Sequence, residues 1–281
     1  MKTHFFTLLA IGMVPLAAGT VPAQAQSGNA SAALETVLAS DIRADDRARD
    51  QYRHPAETLE FFQTGPGDTV IEYAPGGGWY TRVLAPYLVD DGQFVGVVFN
   101  PDSIEVFDDD TRTRVREGVA SWSARMAEAM GIDAAALPIH FTDEIPAALN
   151  GQVDRVLIVR MLHNMMRWGI ADAEIAMLGN ALVPDGMIGV VQHRAPADWA
   201  DEHADGSNGY VREADIIALM ERNGFELVDS SEINANPNDP ADTDTGVWRL
   251  PPTFARGDEN REEYAAIGES DRMTLLFRKA R

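Results

Sequence analysis

Val70-Ile71-Glu72-Tyr73-Ala74 is a largely apolar run that includes one acid and ends in a small residue, and Pro75-Gly76-Gly77-Gly78 follows it directly. The run suits a short buried strand, and the glycines suit a bend into a helix that continues to about Leu88. Residues 74, 76 and 78 are small, so a ligand can approach the backbone closely. The helix start would turn unpaired N–H groups toward the bend, a favourable place for a carboxylate or phosphate. A strand, a glycine bend and a helix in this order point to an α/β architecture.

The alternation continues along the chain. Strands are expected over 93–99, 139–142, 153–159, 187–192, 225–233 and 273–277, and helices over 55–63, 112–130, 171–182 and 211–223. Phe94 to Phe99 is apolar apart from Gly96, which suits a parallel strand covered on both faces. Val115, Val119, Trp122, Met126 and Met130 share one helix face. Pro55 suits a first helical turn, Asp108-Asp109-Asp110 an N-terminal cap before Thr111, and Asn223-Gly224 a helix stop. Pro184-Asp185-Gly186 reads as a turn. Residues 26–33 are rich in Ser, Gly, Asn and Ala and read as mobile, and 34–63 as helical. The segment 234–270 is rich in Asn, Asp, Pro and Gly, and a connection that long is functional or disordered. The expected organisation is a helical extension over 26–54 and one domain over 55–281, with 234–270 inserted between its last two strands.

Lys2 and His4 precede an apolar run from Phe5 to Gly19, and Ala23-Gln24-Ala25 is a small-x-small site. This pattern reads as a signal peptide over 1–25, with Gln26 as the new N-terminus and a periplasmic or secreted product. No later stretch reaches the ~18 unbroken apolar residues of a membrane span, so no stable insertion is expected after cleavage. A net charge of −21 repels phosphate backbones, which argues against a nucleic-acid partner and leaves a small-molecule substrate. The chain has no cysteine, which excludes disulfides, a thiolate nucleophile and Cys-ligated metals.

The glycines do not fit two common nucleotide motifs. The dinucleotide fingerprint starting at Gly76 and Gly78 would need a third glycine where Thr81 stands, and no acid follows near Val97 to Phe99. A Walker loop needs Gly-Lys-Ser/Thr, and the only lysines are Lys2 and Lys279.

Glu72-x-Ala74-x-Gly76-x-Gly78 instead resembles motif I of the class I S-adenosylmethionine-dependent methyltransferases. Val95-Gly96-Val97 resembles their second strand, Thr142-Asp143 the acidic position after the third, Asp154 to His163 the fourth, and Leu182 to Gly186 the turn before the fifth. More narrowly, Arg53-His54-Pro55, Gly76 to Tyr80, His193-Arg194-Ala195, Glu232 to Pro237 and Gly268 to Asp271 resemble a bacterial group of exported, predicted methyltransferases. The resemblance implies a Rossmann-like seven-stranded sheet in the order 3-2-1-4-5-7-6, with strand 7 antiparallel and helices on both faces. It implies S-adenosylmethionine as cofactor, with Glu72, Ala74, Gly76 and Gly78 at its methionine end and Asp143 facing the adenine. Arg160 to His163 would sit beside the sulfonium. Val98 departs from the family's ribose-binding acid, and Asn100 or Asp102 is the nearest polar replacement.

His163-Asn164 and His193-Arg194 follow adjacent strands, where α/β proteins place ligands. Either histidine is a candidate catalytic base. No residue is assigned as a metal ligand, although both histidines could join Asp143, Asp198 or Glu202 around an ion. His54, Asn164, Arg194 and Tyr210 are candidate substrate-binding residues, Arg194 through its two-pronged guanidinium. Arg49 to His54 reads either as a solvated helix face or as a substrate cap. Trp248 to Pro252 reads as an arm packed on the domain, with a water-excluding lid as the alternative. His140 reads as structural and His203 as a surface group. The expected function is methyl transfer to a small molecule. The alternative is an exported binding protein or a metal-dependent enzyme on the same scaffold.

Overall fold

Apolar side chains on both faces of most strands force helices onto both sides of the sheet. The computed structural model describes residues 23–280. Of the leader read over 1–25, residues 1–22 lie outside the described residues, and Ala23-Gln24-Ala25 opens the first helix. In chain order the elements are α1 (Ala23–Ala39), α2 (Asp50–Arg53), α3 (Pro55–Phe61), β1 (Thr69–Tyr73), α4 (Thr81–Leu88), β2 (Gln93–Val98) and α5 (Asp109–Met130). Next come β3 (Ile139–Phe141), β4 (Val153–Val159), α6 (Leu162–Arg167), α7 (Ala171–Ala181) and β5 (Leu182–His193). The chain ends with α8 (Asp201–Ala204), α9 (Glu213–Arg222), β6 (Phe225–Ser231), α10 (Arg261–Ile267) and β7 (Arg272–Lys279).

The strands form one sheet in the order β3-β2-β1-β4-β5-β7-β6. β7 runs antiparallel to β5 and β6, and the other pairs are parallel. This is the Rossmann-like mixed sheet that the resemblance implied, with the N-terminal helical extension expected from the sequence pattern. Alternation along each strand divides the core in two. Val70, Leu157, Val191 and Leu276 pack toward α1, α3, α4 and α5. Ile71, Val156, Ile158, Val190 and Leu275 pack on the other face with α7 and α9. Strand order reverses beside β1, so the ends of β1 and β4 flank an open crevice.

Four local expectations are refined. Residues 26–33 are helical, because α1 runs unbroken to Ala39 and buries Leu34 and Val37 in the core. The helical reading of 34–63 divides into α1, short turns, α2 and α3. Pro184-Asp185-Gly186 lies inside β5, where a register shift between Val153 and Arg155 absorbs it. The segment 234–270 is folded and contains a turn of 3-10 helix at Gly246–Arg249 as well as α10. Asp108 does cap α5, its side chain accepting from the Thr111 N–H at 2.8 Å. Among the described residues, no helix is long and apolar enough to cross a membrane.

Gly189 in β5 shows how closely the layers meet. A Cβ there would lie 2.6 Å from the Phe62 ring, which is fully buried. Gly189→Ala is expected to lower stability by about 1–3 kcal/mol through overpacking, read as a shift of the urea midpoint.

Candidate functional site

The bend after β1 holds a demanding backbone. Ala74 has φ 51°, Gly76 54° and Gly78 76°. The left-handed conformation costs an alanine about 1–2 kcal/mol, so neighbouring contacts must enforce it. The Ala74 N–H donates to the Val97 carbonyl at 2.7 Å, and Trp122 Nε1 of α5 donates to the Gly76 carbonyl at 2.8 Å. A Cβ on Gly78 would sit 2.3 Å from Met126 Cε, so the methionine end would have to move, and φ 76° strains any other residue there. Gly77 faces open space.

Glu72 lies behind this bend. It is buried and accepts from Thr81 Oγ1 at 2.6 Å, joining β1 to α4. Burial pushes its carboxyl up to about 8, against the opposing effects of the Thr81 hydrogen bond and the Arg82 charge.

A cavity of about 380 Å³ occupies the crevice. The bend forms one wall, residues 159–164 beyond β4 another, and Glu269 and Ser270 a third. His163 and His193 both line it, their ring centroids 5.6 Å apart. Gln192 holds His163 Nδ1 at 3.2 Å, and Ser270 Oγ meets His193 Nδ1 at 2.5 Å. Burial is the main cause lowering His163 to about 4, and nearby guanidiniums add to it. Burial also holds His193 well below its ordinary value, with the His163, Arg160 and Arg272 charges acting in the same direction. Both rings are therefore neutral at neutral pH, and each can accept a proton or a hydrogen bond.

The N-terminal extension supplies Arg49 and Arg53 to the cavity wall. Glu269 accepts from Arg49 Nε at 2.9 Å, Arg53 Nε at 2.9 Å and Arg272 Nη1 at 3.0 Å. Arg53 also lies over the Trp79 ring at 4.7 Å. Of the two readings for Arg49 to His54, this geometry favours a cap on the cavity for the arginines. His54 itself is half-buried at the α2–α3 junction and outside the lining.

Trp248, Pro251, Pro252 and Thr253 line the same cavity, so the arm from 234–270 also covers the crevice. Trp248 lies 6.3 Å from His163 between ring centroids. Buried Arg249 anchors this cover by donating to Asp239 at 3.0 Å, and the Tyr210 hydroxyl donates to the same carboxylate at 2.8 Å. Tyr210 is thus wholly inside the anchor and not in the lining. Arg194 also lies elsewhere: Asp271 at 2.9 Å and Glu232 at 2.5 Å occupy its guanidinium. Asn164 does line the cavity.

Asn100 and Asp143 stand near the ends of β2 and β3, outside the lining, where Asn100 Nδ2 donates to Asp143 Oδ2 at 2.8 Å. Phe99, Phe107 and Trp168 pack edge to face nearby, with Phe99 and Trp168 centroids 4.9 Å apart. Among the described residues, no group of three His, Cys, Asp or Glu side chains is placed to hold a metal, so Asp143, Asp198 and Glu202 do not join the histidines.

No family model and no curated protein matches the sequence. Solved structures do match the fold. A candidate sarcosine dimethylglycine methyltransferase from Galdieria sulphuraria superposes with a TM-score of 0.51 at 13% identity, over 88% of this chain and 89% of that one. The 4+2 cyclase SpnF gives 0.50 at 15% identity, over 81% of this chain and 80% of its own. The chain has the class I S-adenosylmethionine-dependent methyltransferase fold. A cyclase shares this fold, so the reaction has to be argued from the site.

Two measurements test the site's energetics. The histidines have folded pKa values below the unfolded value of about 6.5, so their stability contribution is complete above that pH. It is lost as pH falls toward 4, by roughly 2 kcal/mol or more, because the unfolded chain gains protons first. Urea denaturation from pH 7 to 4.5 should show this loss, and His163→Gln/His193→Gln should lessen it. Asp239→Ala leaves buried Arg249 with only the more distant Asp242, at 3.6 Å, and is expected to lower the unfolding free energy by about 3 kcal/mol in the same assay.

Proposed function

We propose that the chain binds S-adenosylmethionine in the crevice between β1 and β4 and transfers its methyl group to a small molecule. The observation that carries this reading is the strained bend Ala74 to Gly78, which opens onto a covered cavity containing two neutral histidines. Gly77 leaves room for a ligand against the backbone, which fits the amino-acid end of the cofactor. At the nucleoside end, the Asn100–Asp143 pair provides polar groups where Val98 provides none. The cofactor supplies an electrophilic methyl group on sulfur.

The chain's own residues supply alignment, dryness and a proton acceptor. Rigid placement on strand ends contributes most, because methyl transfer needs in-line geometry more than acid–base power. His163 or His193 accepts the acceptor's proton, and Asn164 offers a polar contact at the mouth. Trp248 to Thr253 exclude water. The leader pattern supports export and a periplasmic or secreted location, as in the exported bacterial group that the sequence resembles. Val98 favours one second reading, a binding protein for another ligand on the same scaffold.

Calorimetry with S-adenosylhomocysteine tests the reading. Saturable binding is expected in the full chain, and no binding at millimolar ligand overturns the proposal. A Cβ at Gly77 meets nothing within 4 Å. Gly77→Val should therefore keep its melting temperature while weakening the ligand about ten-fold or more, by filling the approach to the backbone.

A further inference from the structure

The chain has 44 acidic and 23 basic residues, yet this cavity is cationic. Arg49, Arg53 and Arg272 share the single carboxylate of Glu269. Arg160 enters the same cavity from the end of β4. Among the described residues its side chain has no hydrogen bond and no ion pair, and its Nε is shielded from solvent. Its backbone is left-handed, with φ 56°. Arg53 is 2% exposed, and its Nη2 also lacks a partner. Burial of guanidiniums without enough anions is unfavourable, so such an arrangement persists where an anion completes it.

We propose that Arg160 and Arg53 bind a compact oxyanion, a carboxylate or phosphate group carried by the methyl acceptor. A planar guanidinium matches either group through paired N–H donors. Burial lowers the Arg160 guanidinium to about 10, which an incoming anion would reverse. Arg160 and His163 both follow β4 and line the cavity together with His193, which puts the anion beside the histidines. The acceptor's acidic group would then anchor the molecule while the neutral imidazoles face its nucleophile. Assignment of the anion to the acceptor rests on the methyl-transfer reading, whereas the oxyanion site does not.

The test titrates the full chain with inorganic phosphate and with acetate, by thermal melting and calorimetry, with and without S-adenosylhomocysteine. Wild type should be saturably stabilised by at least one of the two anions. Without anion, Arg160→Gln should melt higher than wild type, because a half-buried guanidinium with a shielded, unpartnered Nε is gone. With anion it should bind about ten-fold more weakly or worse. Arg160→Lys, which keeps charge without the fork, should fall between. Arg222→Gln, altering an exposed pair with Asp172, should respond as wild type does. Equal anion responses in wild type and Arg160→Gln overturn the site. Undiminished anion binding beside saturating S-adenosylhomocysteine supports the acceptor assignment. Mutual exclusion overturns that assignment and gives the site to the cofactor's own carboxylate. Anion binding without any S-adenosylhomocysteine binding overturns the methyl-transfer reading and leaves the oxyanion site standing.

Discussion

Parallel pairing of β1 with both β2 and β4 is the constraint on which the molecule depends. Each connection must leave the carboxyl end of its strand and cross a different face of the sheet. Nothing from the sheet itself then covers the ends of β1 and β4. Chain leaving β1 must turn sharply, which puts Ala74 in a left-handed conformation that alanine resists. The cost is met by α5, whose Trp122 and Met126 close over the bend from outside. A rigid, amide-lined edge is left facing the crevice.

Glu269 solves a second problem created by the same crevice. It ties the N-terminal extension, through Arg49 and Arg53, to the start of β7, through Arg272. One carboxylate cannot neutralise three guanidiniums, so the knot holds the extension in place while leaving positive charge unspent. The Arg249–Asp239 pair does the complementary work, holding Trp248 and the prolines over the opening with both charges satisfied. One buried cluster is thus electrostatically closed and structural, and the other is open toward a cavity.

The strands and the glycine bend were legible because local pattern and tertiary role coincide there: apolar runs become buried strands, and glycines stand where φ is positive. α1 was not legible over 26–33, since Ser, Gly and Asn carry little helical preference and the helix is stabilised by burying Leu34 and Val37. Arg194 looked like an anion fork because Glu232 and Asp271, which occupy it, are distant in the chain. Glu269 was invisible as a hub for the same reason, with Arg53 more than two hundred residues away. Tyr210 lay near candidate site segments, but its hydroxyl turned inward to Asp239. Side-chain direction at strand ends and long-range ion pairing have no local signature, and both decide which residues reach a cavity.

A cationic pocket inside an acidic protein has a kinetic consequence that separates selection from attraction. Beyond a Debye length of about 8 Å at physiological salt, surface charge is screened, and the net negative exterior offers no steering to an anionic ligand. Recognition must then come at short range, where a guanidinium fork in a poorly hydrated cavity interacts far more strongly than in water. Arginine suits this role better than lysine, because its charge is weakly hydrated and loses less on burial. The chain's cations fit that requirement, with only two lysines in the whole sequence and arginines around the cavity. A small acidic molecule that reaches the crevice meets the unpartnered Nη2 of Arg53, which Glu269 holds in place, and the unpaired guanidinium of Arg160.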